Sequence, residues 1–465
     1  MTIANKRMPD SCLNLMNSVK NPATMFDTPA DELLQRQLQA AQDLFEQRRA
    51  HIPVLEQRAA DTGITKLRSK ADLVPLLFSH TTYKSYPESL VVKGRWPLLT
   101  KWYETLSAVP IEVDLTGVTS VDDWVDRLWS AGHYLYATSG TTGKCSFLNH
   151  TQGDREFVET FWRNCTGWPH TLEPDGEKMR YYCGVPEQGP QAPMHWFKYI
   201  GEVFGAEGQR FHFGREPIRV SFLNRVGAMR KAMASGEASA ADIAQFEQDM
   251  AAREKIMLAD IRTMAEDILE HRHEPLFIST WQIMEDVINI AREAGIADGD
   301  FKDVFLFGSG RKKFRGKLEP KELDDAAMRF FGPENVRARN MFYGMTELGT
   351  TMLMCEAGHY HVPPWIVLLL LDKNGNALVE KAGEIVEGRG GFFDLSREGR
   401  WGGIITGDKL QVNFSPVCAC GRPGPAILDT VDRYTDVGSD KVDCAGGTNN
   451  CEGGVVLTVS ADLPG

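Results

Sequence analysis

The stretch from Thr138 to Lys144 combines hydroxyl side chains, glycines and one lysine. Hydroxyls donate hydrogen bonds, glycines let the backbone approach oxygen atoms, and a lysine adds positive charge, so the stretch suits phosphate groups. It is not a Walker A loop, which requires glycine at position 138 and serine or threonine at position 145. An ordinary polar loop remains an alternative. The candidate phosphate contacts are Thr138, Ser139, Gly140, Thr141, Thr142, Gly143 and Lys144.

Two later stretches place carboxylates at strand ends. The segment Asn340–Glu347 offers an aromatic ring, a hydroxyl and a carboxylate, and Thr406–Asp408 offers a second carboxylate. Purely structural roles are the alternative. Tyr343 can be a core aromatic, Thr346 with Glu347 a capping pair at a helix N-terminus, and Asp408 a turn residue.

Cys355, His361, Cys418 and Cys420 have the residue types of a tetrahedral Cys3His zinc site. The Cys-x-Cys step is shorter than usual, and His359 is a rival for His361. Unpaired thiols are the alternative. The odd total of nine cysteines does not indicate a disulfide framework.

Composition narrows the classes of function. The net charge of −12 makes nucleic acid a poor default partner. No apolar run is long enough to span a membrane, and the N-terminus lacks the apolar core of a signal peptide, so we expect a cytoplasmic protein.

Hydrophobic spacing predicts alternating strands and helices, and hence an α/β fold with a mainly parallel sheet flanked by helices. Apolar residues at three- and four-residue steps predict a helix around 33–45. Further helices are predicted at 122–129, 154–162, 225–271 with a break at Gly236, 281–294 and 322–331. Strands are predicted at 134–136, 181–184, 277–280, 304–307 and 340–343.

From about Val362 the sequence pattern changes to short apolar segments separated by glycine-rich turns. This pattern predicts a β-rich subdomain, either a distorted barrel or a small sheet. Its strands are predicted at 366–372, 382–386, 391–395 and 403–408. The predicted division is a helical segment at 1–70, an α/β core at 71–361, the β-rich part at 362–435 and a tail at 436–465.

The sequence resembles the ANL superfamily of adenylate-forming enzymes over roughly residues 70–435. The resemblance rests on three motifs in this order: Thr138–Lys144, Asn340–Glu347 and Thr406–Asp408. The closest resemblance is to the branch of phenylacetate-CoA ligase and the acyl-protein synthetase subunit of bacterial bioluminescence. Five segments carry it: Asp72–Tyr86, Cys355–Trp365, Phe393–Leu395, Arg400–Gly403 and Cys418–Arg422.

The resemblance implies ATP-dependent activation of a carboxylic acid, with formation of an acyl-adenylate and release of pyrophosphate. Loop 138–144 would hold the leaving phosphates, with Thr346 nearby, and Glu347 would bind Mg²⁺. Tyr343 would stack on adenine, and Asp408 with Arg433 would hold the ribose. The remaining nucleotide contacts implied are Gly308, Ser309, Gly310, Asn340 and Gly344; Lys313 at the third glycine position excludes a dinucleotide fingerprint.

The resemblance also implies an acid-binding pocket. His195 would steady the substrate carboxylate, although a histidine beside aromatic residues is often simply packed. An apolar or aromatic wall is predicted from Trp196, Phe197, Phe307 and Met345. The acyl acceptor would be CoA, a carrier protein or an amine. Because related proteins tend to keep the cysteine cluster, a structural Zn²⁺ is favoured over free thiols.

The sequence departs from the family in one respect. Most members carry a C-terminal domain with a catalytic lysine, and the residues after Arg433 are too few for it. A partner protein could complete the site, and Cys444 or Cys451 could carry an acyl group. The alternative function is a catalytically degenerate subunit that binds a nucleotide or acyl ligand within a larger complex.

Overall fold

The computed structural model describes residues 8–138, 144–170, 172–214, 217–279, 284–309, 318 and 320–434. Within them the helices α1 to α13 are Asp10–Met16, Ala30–Arg49, Pro53–Thr62, Lys70–Leu73, Glu88–Val92, Trp96–Glu104, Val121–Ser130, Gln152–Cys165, Ala192–Phe204, Val220–Ser235, Ala240–Glu270, Met284–Glu293 and Pro320–Phe331. The strands β1 to β15 are Phe78–Ser79, Tyr134–Ala137, Phe147–His150, Met179–Cys183, Gly205–His212, Pro275–Ser279, Asp303–Ser309, Val336–Tyr343, Met352–Met354, His359–His361, Ile366–Leu371, Ile385–Asp394, Gly403–Asn413, Ala426–Leu428 and Asp432–Arg433.

The centre of the fold is a parallel sheet with the strand order β5-β4-β6-β7-β8. Successive side chains point to opposite faces of a strand. Phe305 and Phe307 accordingly pack into one core, whereas Val304 and Leu306 pack into a second core with α11, α12 and α13. The predicted α/β class, with helices on both faces of a sheet, is confirmed.

The β-rich part continues the same sheet. β8 pairs antiparallel with β9, and the order then runs through β10, β14, β13 and β12 to β11. The strands after Val362 are thus hydrogen-bonded to the parallel region in one mixed sheet. The proposed domain boundaries at 70, 361 and 435 stay predictions.

Two strand predictions need correction. The segments 382–386 and 391–395 are not separate strands, because one strand, β12, covers Ile385–Asp394. Its glycines allow close approach of neighbouring strands rather than a turn: a Cβ at Gly388 would lie 2.6 Å from the carbonyl oxygen of Leu371. The strand β3 was not predicted from the sequence either, and it pairs with β2 in a separate antiparallel hairpin.

The helix break at Gly236 is confirmed. α10 ends at Ser235, and Gly236 adopts φ +73°, a left-handed conformation that glycine tolerates best. α2 packs along β11, where the Gln37 side chain donates hydrogen bonds to the carbonyl oxygens of Pro364 and Ile366 at 2.9 and 3.0 Å. Helix α2 therefore packs directly against the strand at the edge of the sheet.

Among the described residues, none of the helices combines the length and apolar character needed to cross a membrane.

Candidate active site

The hydroxyl- and glycine-rich loop connects the two strands of the β2–β3 hairpin. Ala137 pairs with Phe147 in the hairpin register. Beyond that pair, the Thr138 N–H donates to the Ser146 carbonyl and the Ser146 N–H donates to Thr138 Oγ1, both at 3.2 Å. Thr138 is thus fixed at the loop base, while Ser139, Gly140, Thr141, Thr142 and Gly143 lie outside the described residues.

Lys144 leaves the loop toward Tyr86. Its ammonium donates to the Tyr86 carbonyl and lies 4.1 Å from the centre of the Tyr86 ring. Tyr86 is itself held, because its hydroxyl donates to the Cys145 carbonyl at 3.0 Å and its ring stacks on Phe147. Burial lowers the pKa of Lys144. The lysine therefore lies at the loop end in a defined position.

Tyr343, Asp408 and Arg433 form one hydrogen-bonded group. The Tyr343 hydroxyl donates to Asp408 Oδ2 at 2.6 Å, and Arg433 Nε lies 3.5 Å from Asp408 Oδ1. β13 and β15 hold the last two residues opposite each other. Burial raises the pKa of Tyr343. Three residues predicted from distant segments are thus brought into contact.

Glu347 lies beside this group and is fully buried. Neither oxygen of its carboxylate accepts a hydrogen bond from another of the residues that the structure describes. Burial raises the pKa of Glu347 to about 7, with the charge of Asp408 acting in the same direction and the charges of Arg400 and Arg433 opposing it. A buried carboxylate without hydrogen-bond donors is costly unless a cation joins it.

The predicted nucleotide contacts around these residues lie at the ends of adjacent parallel strands. Gly308 on β7 stands opposite Met341 on β8, and Asn340 and Tyr343 lie on the same strand, β8. Asn340 donates through its amide to the Trp168 carbonyl, and the oxygen of that amide is buried without a partner in the described structure. Ligands of α/β sheets commonly bind beyond such carboxyl ends of strands. Thr346, Gly344 and Met345 are buried in the following turn; Gly310 lies outside the described residues.

His195 lies on α9 and contacts α8. Its Nε2 is 3.2 Å from Glu159 Oε1, and its Nδ1 is 3.1 Å from Arg155 Nη2. Burial lowers the pKa of His195. The ring lines a cavity of about 370 Å³ together with Arg155, Lys198 and Arg219. The ring of His195 also stacks on that of Tyr136 in β2, with the ring centres 6.3 Å apart. Within the described part of the chain, His195 contacts neither Glu347 nor Asp408.

The predicted apolar wall lies within an aromatic cluster of the core. Phe307 packs against Phe197 and Phe342 at ring-centre distances of 5.9 and 5.1 Å, and Trp196 against Trp162 at 5.9 Å. These rings are buried against one another. Their contact with a substrate stays a prediction.

Two arginines near Glu347 are buried, and the sequence did not predict their burial or their different contacts. Arg397 makes ion pairs with Asp154 at 3.5 Å and Asp394 at 3.2 Å. Arg400 donates through Nη2 to the carbonyl oxygen of Glu347. The polar sequence Arg397-Glu398-Gly399-Arg400 is also typical of an exposed turn. The burial of the two arginines is therefore visible only in the fold.

The cysteine and histidine cluster is assembled. One ligand atom from each of Cys355, His361, Cys418 and Cys420 lies within 4.8 Å of the others. Tetrahedral zinc needs ligand atoms about 3.5–3.8 Å apart, given Zn–S and Zn–N bonds of about 2.3 and 2.0 Å. The set fits zinc after small adjustments. His359 is adjacent, with Nδ1 3.2 Å from the Cys418 sulfur.

Comparison with known proteins gives a fold likeness only. No family model matches the sequence, and no curated protein matches it. Solved structures do match. One is 2-hydroxyisobutyryl-CoA ligase in the postadenylation state in complex with R3-HIB-AMP, with 12% identity, a TM-score of 0.53, and coverage of 89% of this chain and 70% of that one.

The same ligase in an open conformation with 2-HIB-AMP and CoA gives a TM-score of 0.53 at 12% identity, covering 89% of this chain and 72% of that chain. Its thioesterification state gives 0.52 at 13%, covering 89% and 70%. The chain therefore has the fold of a CoA ligase that has been observed with an acyl-adenylate bound.

Proposed function

We propose that the protein activates a carboxylic acid with ATP and Mg²⁺. An oxygen of the substrate carboxylate attacks the α-phosphorus, the bond to the β-phosphate oxygen breaks, and acyl-AMP and pyrophosphate form. The observation that carries the proposal is the buried Glu347 carboxylate beside the Tyr343–Asp408–Arg433 group. Charge on phosphate oxygens must be neutralised in such a reaction.

Glu347 would hold Mg²⁺, which supplies positive charge to the phosphate oxygens when bound. Neither oxygen of the Glu347 carboxylate accepts a hydrogen bond from another residue in the described part of the chain. This supports the role, because a carboxylate saturated by donors would bind a cation less well. Thr346 would contribute its hydroxyl nearby. Lys144 and the loop 138–143 would contact the leaving phosphates, and this requires the lysine to exchange its Tyr86 carbonyl for a phosphate oxygen.

Asp408 and Arg433 would hold the ribose hydroxyls, with Tyr343 against adenine and Gly308, Ser309, Gly310, Asn340 and Gly344 around the nucleotide. The hydrogen bond from Tyr343 to Asp408 supports a common site for base and sugar. His195 would orient the substrate carboxylate. Burial lowers its pKa, which favours the neutral imidazole, and its Nε2 faces the Glu159 carboxylate while its Nδ1 faces Arg155. Donation to a substrate therefore requires the ring to exchange its Glu159 contact for the substrate carboxylate.

The acyl group would next pass to a thiol or amine. CoA is the acceptor that the matched ligase binds, and a carrier protein or an amine fits the same chemistry. A structural Zn²⁺ at Cys355, His361, Cys418 and Cys420 belongs to the same proposal. Cys444 and Cys451 lie outside the described residues, and an acyl-thioester there stays a prediction.

Pyrophosphate release from ATP and Mg²⁺ across a panel of aliphatic, hydroxylated and aromatic acids tests the activity. We expect release that depends on one class of acid, and an acyl-hydroxamate when hydroxylamine is added. ATP binding without acid-dependent release would favour the alternative, a nucleotide-binding partner subunit. Adding candidate partner proteins to that assay tests whether a second chain completes the site.

A further inference from the structure

Arg400 is a buried cation surrounded by neutral acceptors. Its side chain is 1% exposed. Nη2 donates to the Glu347 carbonyl, and Nη1 lies 3.3 Å from the Trp401 carbonyl and 3.4 Å from the Tyr83 hydroxyl. No carboxylate of the described residues lies within ion-pair distance of it. Burial of a guanidinium without a counter-ion within ion-pair distance lowers the stability of the folded protein. A contribution to stability therefore does not explain why an arginine occupies this position.

The neighbouring Arg397 shows the contrast. It is equally buried, but two carboxylates, Asp154 and Asp394, compensate its charge at 3.5 and 3.2 Å. The charge of Arg400 instead attracts the Glu347 carboxylate. Of the two arginines, Arg397 has the contacts of a structural ion pair and Arg400 does not.

The segment from Asp394 to Arg400 also holds both ends of the turn that carries Glu347. The Gly349 N–H donates to Asp394 Oδ2 at 2.7 Å. A Cβ at Gly349 would lie 1.7 Å from Arg397 Nη2, so the backbone there rests directly on the guanidinium. At the other end, Arg400 binds the Glu347 carbonyl. The backbone that carries the carboxylate is therefore fixed at two points.

We propose that Arg400 is a positioning residue that fixes the Glu347 backbone and thereby aims its carboxylate at the divalent cation. The inference rests on the proposed function, since it assigns a support to the residue that would hold the metal. Residues that orient a metal ligand typically change metal affinity by about 10- to 100-fold when they are removed.

The test is a titration with Mn²⁺, followed by electron paramagnetic resonance, in the presence of α,β-methylene-ATP. We expect Arg400→Met to weaken Mn²⁺ binding about 10- to 100-fold relative to wild type. Arg400→Lys should recover most of the affinity, because an ammonium can still donate to the Glu347 carbonyl. Tyr83→Phe is the matched control: it removes the hydroxyl near Arg400 Nη1 but leaves the Glu347 contact, and should bind as wild type does.

Circular dichroism separates folding from binding. If Arg400→Met is folded and binds Mn²⁺ with wild-type affinity, the inference is wrong. If that variant does not fold, Arg400→Gln, whose shorter side chain does not reach the Glu347 carbonyl, takes its place with the same expectation of weakened binding relative to Arg400→Lys. A wild-type protein that binds no Mn²⁺ with the nucleotide analogue overturns the proposed function itself, and the inference with it.

Discussion

At the scale of single residues, Glu347 illustrates how function and stability oppose each other. The fold buries this carboxylate completely and leaves its oxygens without hydrogen bonds from other described residues. Such a group is poorly solvated in the absence of a ligand and is available to a cation. In the proposed function, the side chain lowers the stability of the free protein and provides a ligand for the cation.

Glu347→Gln should stabilise the free protein, and more so at high pH. The pKa rises from 4.5 in the unfolded chain to about 7 in the folded one. The folded state therefore keeps its proton between pH 4.5 and 7 while the unfolded state loses it, and wild-type stability falls with rising pH in that window. Above a pH of about 7 the variant should gain up to about 3 kcal/mol. Urea unfolding at a pH of about 5 and of about 8 without nucleotide measures the difference.

A gain that is equal at both pH values would contradict the ionisation argument. The same variant should lose acid-dependent pyrophosphate release by about 100-fold or more, since an uncharged amide oxygen binds Mg²⁺ much more weakly than a carboxylate does.

Lys144→Ala tests the phosphate loop. We expect at least about a 100-fold loss of acid-dependent pyrophosphate release, because removal of one preorganised charge or donor commonly costs that much. Lys93→Ala, which removes an exposed lysine after α5, is the control and should retain activity. Near-normal release by Lys144→Ala would mean that the loop lysine does not hold the phosphates.

The resemblance to adenylate-forming enzymes placed Tyr343 and Asp408 in one site, and residue types suggested the cysteine and histidine cluster. The roles of these residues stay predictions. Tyr343 and Asp408 are hydrogen-bonded, and Cys355, His361, Cys418 and Cys420 are clustered, as expected. The contacts of Arg400 and Tyr86 were not predictable, because each side chain donates to a backbone carbonyl that only the fold brings near. Because every residue has a backbone carbonyl, the type of the accepting residue does not indicate such a contact.

At the scale of elements, the loops of the site are held by buried polar groups that join distant segments. Asp154 on α8 accepts hydrogen bonds from the Glu398 and Gly399 N–H groups at 2.8 and 2.9 Å and pairs with Arg397. Helix α8 is thereby tied to the segment behind Glu347. The capping box formed by Thr151 and Asp154 at the N-terminus of α8 uses the same carboxylate.

Arg397→Met should destabilise the protein by about 3–5 kcal/mol, because it leaves Asp154 and Asp394 as buried, uncompensated carboxylates. Arg163→Ala provides a comparison: it breaks the exposed ion pair with Asp175, and such surface pairs contribute about 0–1 kcal/mol. Chemical denaturation of the two variants measures the contrast. Equal effects would show that the buried pair has no special weight in stability.

Hydrophobic periodicity predicted most long elements, including α10 and α11. It did not predict the bounds of β12, where glycines allow a neighbouring strand to approach closely. Gly388 and its neighbours in β12 resemble turn residues in sequence, yet they lie within a strand that a partner approaches closely. The short strand β3 was also missed. All four of its residues are buried, so they lack the alternation of apolar and polar residues that indicates a half-buried strand.

At the scale of the whole molecule, the short strands β9, β10 and β14 join the parallel and antiparallel regions in one sheet. The cysteine and histidine cluster lies at this join. Cys355 precedes β10, His361 ends it, and Cys418 and Cys420 lie between β13 and β14. A bound Zn²⁺ would link the turn after β9 to the turn before β14. The site would then stabilise the junction without contacting a substrate.

Removal of this metal should lower the stability of the protein without removing any of the side chains proposed to bind the nucleotide. We expect about one zinc per chain by elemental analysis, and a lower melting temperature after chelation that added Zn²⁺ restores. His361→Asn should reduce zinc affinity by at least about 10-fold, because it removes one of four ligands. His359→Asn is the matched control, since His359 neighbours the cluster but is outside the four-ligand set. A larger loss of zinc from the His359 variant would reassign the fourth ligand, and full stability after chelation would show that the thiols pack without metal.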